Sequence, residues 1–495
     1  MKKYILIILC CLTSFPLWSY NVNMIVEHYS VDQGLPNNTV NCTLKDRDGF
    51  IWFGTWYGLC CFDGVKFKTF NKQEHDSDVP PRKIQRIVED KNGYIWVKTI
   101  DRKLYVFNKV TECFHAVYDD MKNYSENIQV IKLQNTAEGD VLLLTKDKNL
   151  LLAGVDEKGQ VTIKILFDSR NEINKHDYTL KHHVLCETEE YISWIGTDYK
   201  VSAVHKGAEL ASRPADFITS KINSGDKDSF TSFFEDGRKV WVGDRAGIFY
   251  SIDVRTGLVN RYVLSEIKGA ISNLLVTPAG YVYLSVAGQG TYEYDLAERR
   301  LQKINTEMND AMVTHAFIDQ YDKIWFHENE KALIYYDPLN HTAKRFPFTM
   351  FGKITTLYSE DAGERGLFFL SPAGEAWLFD REHAEMVYIN KLKQLSNDRA
   401  NQQFYHLMLD NDGVLWLSSA DEGVYCMNFP KKQFNLLSLS PQSVGQENYA
   451  TGVRALFQSK SGDIWVGTRW QSVYRMDRNG VTKHVFSTGD EHIGN

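Results

Sequence analysis

Between Val40 and Phe70 apolar and polar positions alternate in four short runs separated by tight-turn dipeptides. Val40, Cys42 and Leu44 mark the first run, Asp48-Gly49 turns, and Phe50 to Thr55 is an aromatic and β-branched second run. Tyr57-Gly58 turns into Leu59 to Phe62, and Asp63-Gly64 turns into Lys66 to Phe70. The pattern predicts a four-stranded antiparallel meander of about 30 residues, which cannot bury both of its faces alone.

The unit recurs. Asp46-Arg47-Asp48-Gly49-Phe50-Ile51-Trp52 is echoed by Asp90-Lys91-Asn92-Gly93-Tyr94-Ile95-Trp96, by Asn411-Asp412-Gly413-Val414-Leu415-Trp416 and by Ser461-Gly462-Asp463-Ile464-Trp465. Looser copies centre on Leu142, Trp194, Trp241, Tyr283, Trp325 and Phe368, so the anchors follow one another every 42 to 52 residues. That period is the length of one four-stranded propeller blade. Ten copies exceed the common range of about four to eight blades in one ring. The expected fold is therefore all-β: a seven-bladed β-propeller over 20–348, followed over 349–495 by an incomplete second β-propeller of about three blades. The recurrent tryptophans read as packing between blades. Ile25 to Val31 alternates before the first repeat and is the candidate clasp that closes the ring by completing a blade begun elsewhere.

Ahead of the repeats, residues 1–19 combine Lys2-Lys3, the apolar run Tyr4 to Leu12 and Pro16, the layout of a signal peptide; the expected location is the periplasm. No later stretch has the roughly 18 consecutive apolar residues of a membrane-spanning helix. With net charge -7 and no basic stripe, nucleic-acid binding is not expected. Cys42, Cys60, Cys61, Cys113, Cys186 and Cys426 follow no metal-ligand spacing, and small buried thiols are the favoured reading. No metal or cofactor is expected.

Leu35-Pro36-Asn37-Asn38-Thr39-Val40, then Asp48-Gly49-Phe50-Ile51-Trp52-Phe53-Gly54-Thr55, Gly58-Leu59 and Phe62-Asp63-Gly64, resemble the two-component regulator propeller repeat. The resemblance implies the periplasmic sensor region of a Bacteroidetes hybrid two-component system. Such a receptor recognises oligosaccharides and relays the event through a membrane to a histidine kinase, a receiver and a DNA-binding output. The sequence here carries no kinase, receiver, membrane-helix or helix-turn-helix motif and reads as a fragment or an interrupted gene, so signal output belongs to a longer parent. The plan leaves a homodimer open.

In a propeller, loops joining second to third strands and fourth strands to the next blade share one face. That face is expected to hold Trp56, Tyr57, Arg82, Asp101, Asp244, Arg245, His327, Arg469 and Trp470, with Asn37, Asn38, Asp198, Tyr199, Gln289, Glu328 and Asp421. Aromatic plates beside Asp, Asn and Arg suit a sugar, whose C–H faces stack and whose hydroxyls need directional partners. The competing readings are an exported lyase, with His75, His327 or Tyr57 abstracting a proton, and a non-catalytic protein-interaction propeller. No GxSxG, HExxH or paired catalytic carboxylate motif supports catalysis.

Overall fold

The computed structural model describes residues 25–70, 81–122, 124, 129–168, 180–196, 201–207, 215–216, 230–304, 313–328, 331–351, 358–361, 366–371, 374–391, 404–428, 453–469, 472–477 and 481–487. The signal-peptide assignment, His75, Asp198, Tyr199 and Trp470 lie outside them.

Among the described residues the strands form ten four-stranded antiparallel sheets. Sheet 1 is the predicted meander, Val40–Lys45, Ile51–Thr55, Gly58–Phe62 and Phe67–Phe70. Sheets 2 to 8 repeat it over 84–116, 130–167, 180–216, 230–263, 271–303, 313–347 and 358–391; sheet 9 takes 404–428 and sheet 10 takes 453–487. In eight sheets the first strand carries a register shift just after its start, as between Val40 and Cys42 or Ile84 and Arg86. A bulge there bends the strand and re-aims its side chains.

Alternation along each strand sends neighbouring side chains to opposite faces, and each face packs on a different sheet. In sheet 1, Ile51 and Phe53 join Trp416 and Val424 of sheet 9, whereas Trp52 joins Ile87 and Phe107 of sheet 2. The same division continues from sheet 2 to sheet 9, one apolar cluster per interface. The anchors Trp52, Trp96, Trp194, Trp241, Trp325 and Trp416 are packing residues between sheets, as expected.

The predicted clasp exists, but it closes a different sheet. Ile25–Tyr29 pairs antiparallel with Val424–Asn428, from Ile25 opposite Asn428 to Tyr29 opposite Val424. Sheet 9 has three strands of its own, so its outer edge is the one left for the first strand of the chain. No break falls at 348. Trp325 of sheet 7 lies 5.3 Å from the ring of Phe369 and 4.7 Å from that of Phe379 in sheet 8, and Arg381 reaches Asp319 at 2.6 Å. The chain divides instead into units of 1–429 and 430–495. The expected seven-plus-three division rested on blade counting alone, and blade counting does not register which sheet lacks a strand.

Candidate functional site

The two ends of the sheets are built differently. At the end carrying the turns between first and second strands, an aspartate six residues before the anchor tryptophan does two tasks. Asp90 Oδ1 accepts the backbone N–H groups of Asn92 at 2.9 Å and Tyr94 at 3.0 Å, while Oδ2 accepts the Trp96 indole N–H at 2.9 Å. Asp46, Asp319 and Asp410 repeat this with Trp52, Trp325 and Trp416, and Asp236 with Trp241 across a turn one residue shorter. Cations then stitch sheet to sheet. Lys109 lies at 3.1, 2.6 and 2.8 Å from Asp46, Asp48 and Glu89; burial alone would lower its pKa, but these carboxylates raise it. The three carboxylates lie close enough together to resemble a cation site, and the Lys109 ammonium occupies that place. This end is structural.

The opposite end carries the predicted loops. Gly54 brings the second strand of sheet 1 close to its neighbours: a Cβ there would sit 2.4 Å from Cys42 Sγ and 2.5 Å from Ile84 Cγ2. Thr55 then fixes the turn, its Oγ1 accepting the Tyr57 N–H at 3.1 Å and donating to the Gly58 carbonyl at 2.8 Å. The Trp56 N–H donates to the Thr39 carbonyl at 3.2 Å, and the Trp56 carbonyl accepts the Lys83 N–H at 3.0 Å. On this tied-down backbone Trp56 and Tyr57 present their rings to solvent, 42% and 63% exposed. Lys83 Nζ stands 5.3 Å from the Trp56 ring centroid, a cation–π distance that covers one side of the ring. The link continues into sheet 2, where the Ile100 N–H donates to the Lys83 carbonyl at 2.9 Å, and into sheet 3, where the Val130 N–H donates to the Arg102 carbonyl at 2.9 Å.

Trp56, Tyr57, Arg82 and Asp101 therefore share one continuous stretch of loop face. Arg82 and Asp101 are exposed. Burial opposes ionisation of Asp101, but the Thr99 hydroxyl and Lys103 outweigh it and its pKa falls. The other candidates are not on this stretch. Asp244 is buried at the end of the strand Lys239–Asp244 and caps its own turn, accepting from Ala246 at 2.9 Å and Ile248 at 2.8 Å; burial raises its pKa. It is the counterpart of Thr55, a correction that the shared place after Gly243 and Gly54 made available in sequence. Arg245 is exposed on sheet 5. His327 is a strand residue, not a loop residue, within Ile324–Glu328; burial and then His315 lower its pKa. Glu328 is buried and held by Arg345 at 3.0 Å. Asn37 and Asn38 accept backbone N–H groups of Thr39 and Val31, both at 2.8 Å. Arg469 is exposed in the second unit. Of the proposed lyase residues, His327 and Tyr57 lie on sheets 7 and 1. Sequence reasoning missed Lys83, Arg86, Lys98 and Arg102; their signal was the crowding of cations near the loop end of sheet 2.

Residues 34–57, which include the first two strands of sheet 1 and the Trp56-Tyr57 turn, match the family model of the two component regulator propeller. No curated protein matches the chain. Among solved structures, the extracellular domain of a B. thetaiotaomicron protein described as a hybrid two component system is 15% identical over 96% of this chain and 68% of its own, with a TM-score of 0.32. A second B. thetaiotaomicron extracellular domain, described as from a one component system, is 18% identical over 92% of this chain and 61% of its own, with a TM-score of 0.30. A virginiamycin B lyase from Staphylococcus aureus is 11% identical over 72% and 97%, with a TM-score of 0.32. At these identities and scores no activity carries over.

Proposed function

We propose that this chain, whose first blade is a two-component regulator propeller repeat, is the ligand-sensing region of a periplasmic receptor, and that its loop face at Trp56-Tyr57 recognises an oligosaccharide. The relay belongs to the histidine kinase of a longer parent. One observation carries the reading: two large rings stand exposed on a turn that is capped by Thr55 and whose backbone is bonded to two neighbouring segments. The fold gains little from their exposure, whereas a fixed aromatic plate suits a sugar face and loses little conformational entropy on binding.

Titration calorimetry of the full chain against a panel of glycan fragments, with melting curves, tests it. Trp56→Ala should weaken binding by roughly 1 to 3 kcal/mol and leave the melting temperature nearly unchanged. Trp52→Ala, which empties an interface between sheets, should cost about 3 to 5 kcal/mol of stability. A Trp56→Ala protein that binds every effective glycan as the parent does would remove the platform from the face.

A further inference from the structure

Four cations at the loop end of sheet 2 lack the carboxylate partners that several cations at the structural end have. At the structural end Lys45, Lys91, Lys109 and Lys206 each meet carboxylates at 2.5 to 2.8 Å. At the loop end of sheet 2 no carboxylate among the described residues pairs with Lys83, Arg86, Lys98 or Arg102. Carboxylates near that end have other partners: Asp101 has Thr99 and Lys103, Asp120 has His115, and Asp147 has the Thr145 hydroxyl.

Lys98 is the telling residue. It is 6% exposed, and its ammonium donates to the Ile131 carbonyl of sheet 3 at 2.5 Å, a neutral partner. Arg86 is its Cα partner across the strand pair, with its guanidinium acting on Cys42 of sheet 1 and His406 of sheet 9. Burial and then Arg102 bring the Lys98 pKa down to about 8. Arg86 in turn acts on His406 of sheet 9, where burial and this guanidinium bring the imidazole down to about 4. A buried cation opposed by Arg102 and lacking a counter-charge is costly for the fold, and such a cost is expected at a site that takes up the missing charge.

We propose that Lys98 and Arg102, at the loop end that also carries Lys83 on the Trp56 ring, form an anion subsite for the carboxylate or sulfate of an acidic oligosaccharide, an inference that rests on the glycan reading above. The aromatic plate takes the sugar face and the cations take its charged substituent.

The full chain is titrated with tetragalacturonate, a sulfated galacto-tetraose and neutral galacto-tetraose at about 50 and 500 mM salt, conditions that separate screened from unscreened contacts. At least one charged probe should bind ten times or more tighter than the neutral one at low salt, and the tighter of the two identifies the substituent. Lys98→Met should abolish that preference, leave neutral binding alone and keep or raise the melting temperature; Arg102→Gln should reduce the preference without loss of fold. Equal binding of charged and neutral probes overturns the subsite while leaving the Trp56 platform standing. Failure of both charged probes to bind overturns it too, as does a Lys98→Met protein that melts several degrees earlier with its preference intact.

Discussion

At the residue scale the organising side chain is an aspartate. Asp46, Asp90, Asp236, Asp319 and Asp410 each divide their two oxygens between a tight turn and a buried indole. Where the anchor is Leu142 or Tyr283, the cap is Thr136 or Thr277, whose single hydroxyl serves the turn at 3.1 and 3.2 Å and has no indole to satisfy. The Asp-Gly turn was legible in the sequence; the second acceptor role was not, because it depends on a tryptophan brought back over the turn by strand pairing. Asp90→Ala strands three donors at once and should cost about 3 kcal/mol, with a drop in melting temperature to match. Asp90→Thr restores the turn cap alone and should recover part of that loss. If Asp90→Thr melts with the parent, the indole bond contributes nothing.

At the element scale, sheet 4 shows how a sound repeat period can hide an error of one residue. The turn after Glu187 is one residue shorter than in sheet 1, with the Thr188 N–H bonding the Tyr191 carbonyl where Asp46 bonds Phe50. Ser193, opposite Cys186, thus holds the place that Trp52 holds opposite Leu44. Trp194 turns to the other face and packs on Phe167 of sheet 3, 5.1 Å between ring centroids. A slip of one residue reverses every side chain, so the anchor chosen by residue type lies one position off. Ser193 remains as a fully buried hydroxyl without a hydrogen-bond partner among the described residues. Ser193→Ala should therefore be neutral or stabilise by up to about 1 kcal/mol in chemical denaturation, and a clear destabilisation would mean the hydroxyl has a partner. The strands themselves were readable because alternation and turn dipeptides are local. Of the candidate site, the loop-end placement of Trp56, Tyr57, Arg82 and Asp101 was legible; the Asp244 cap and the Lys98–Arg102 pair depend on which strands lie opposite one another, and that pairing is not local.

At the scale of the whole chain, the clasp determines where the molecule divides. Tyr29 arrives beside Phe62, Phe67 and Trp416, with ring centroids 5.0, 5.5 and 6.5 Å apart, so the first strand is held by packing on sheets 1 and 9 as well as by its pairing. All nine interfaces of the first unit carry apolar clusters, including the one at the expected boundary near 348. On sheet 10, Leu456 and Phe457 of the first strand are 69% and 66% exposed, and the core among the described residues is Val466, Tyr474 and Met476. A single four-stranded sheet with that little burial is marginal alone, and its stability should fall below that of the first unit. Limited proteolysis should then remove the C-terminal part first and leave a fragment ending near residue 429 that includes the clasp, identified by intact mass. A Tyr29→Ala protein should yield that fragment less durably, because the strand that closes sheet 9 loses three aromatic contacts. A resistant fragment ending near 348 would instead restore the seven-plus-three division, and with it a clasp on sheet 7.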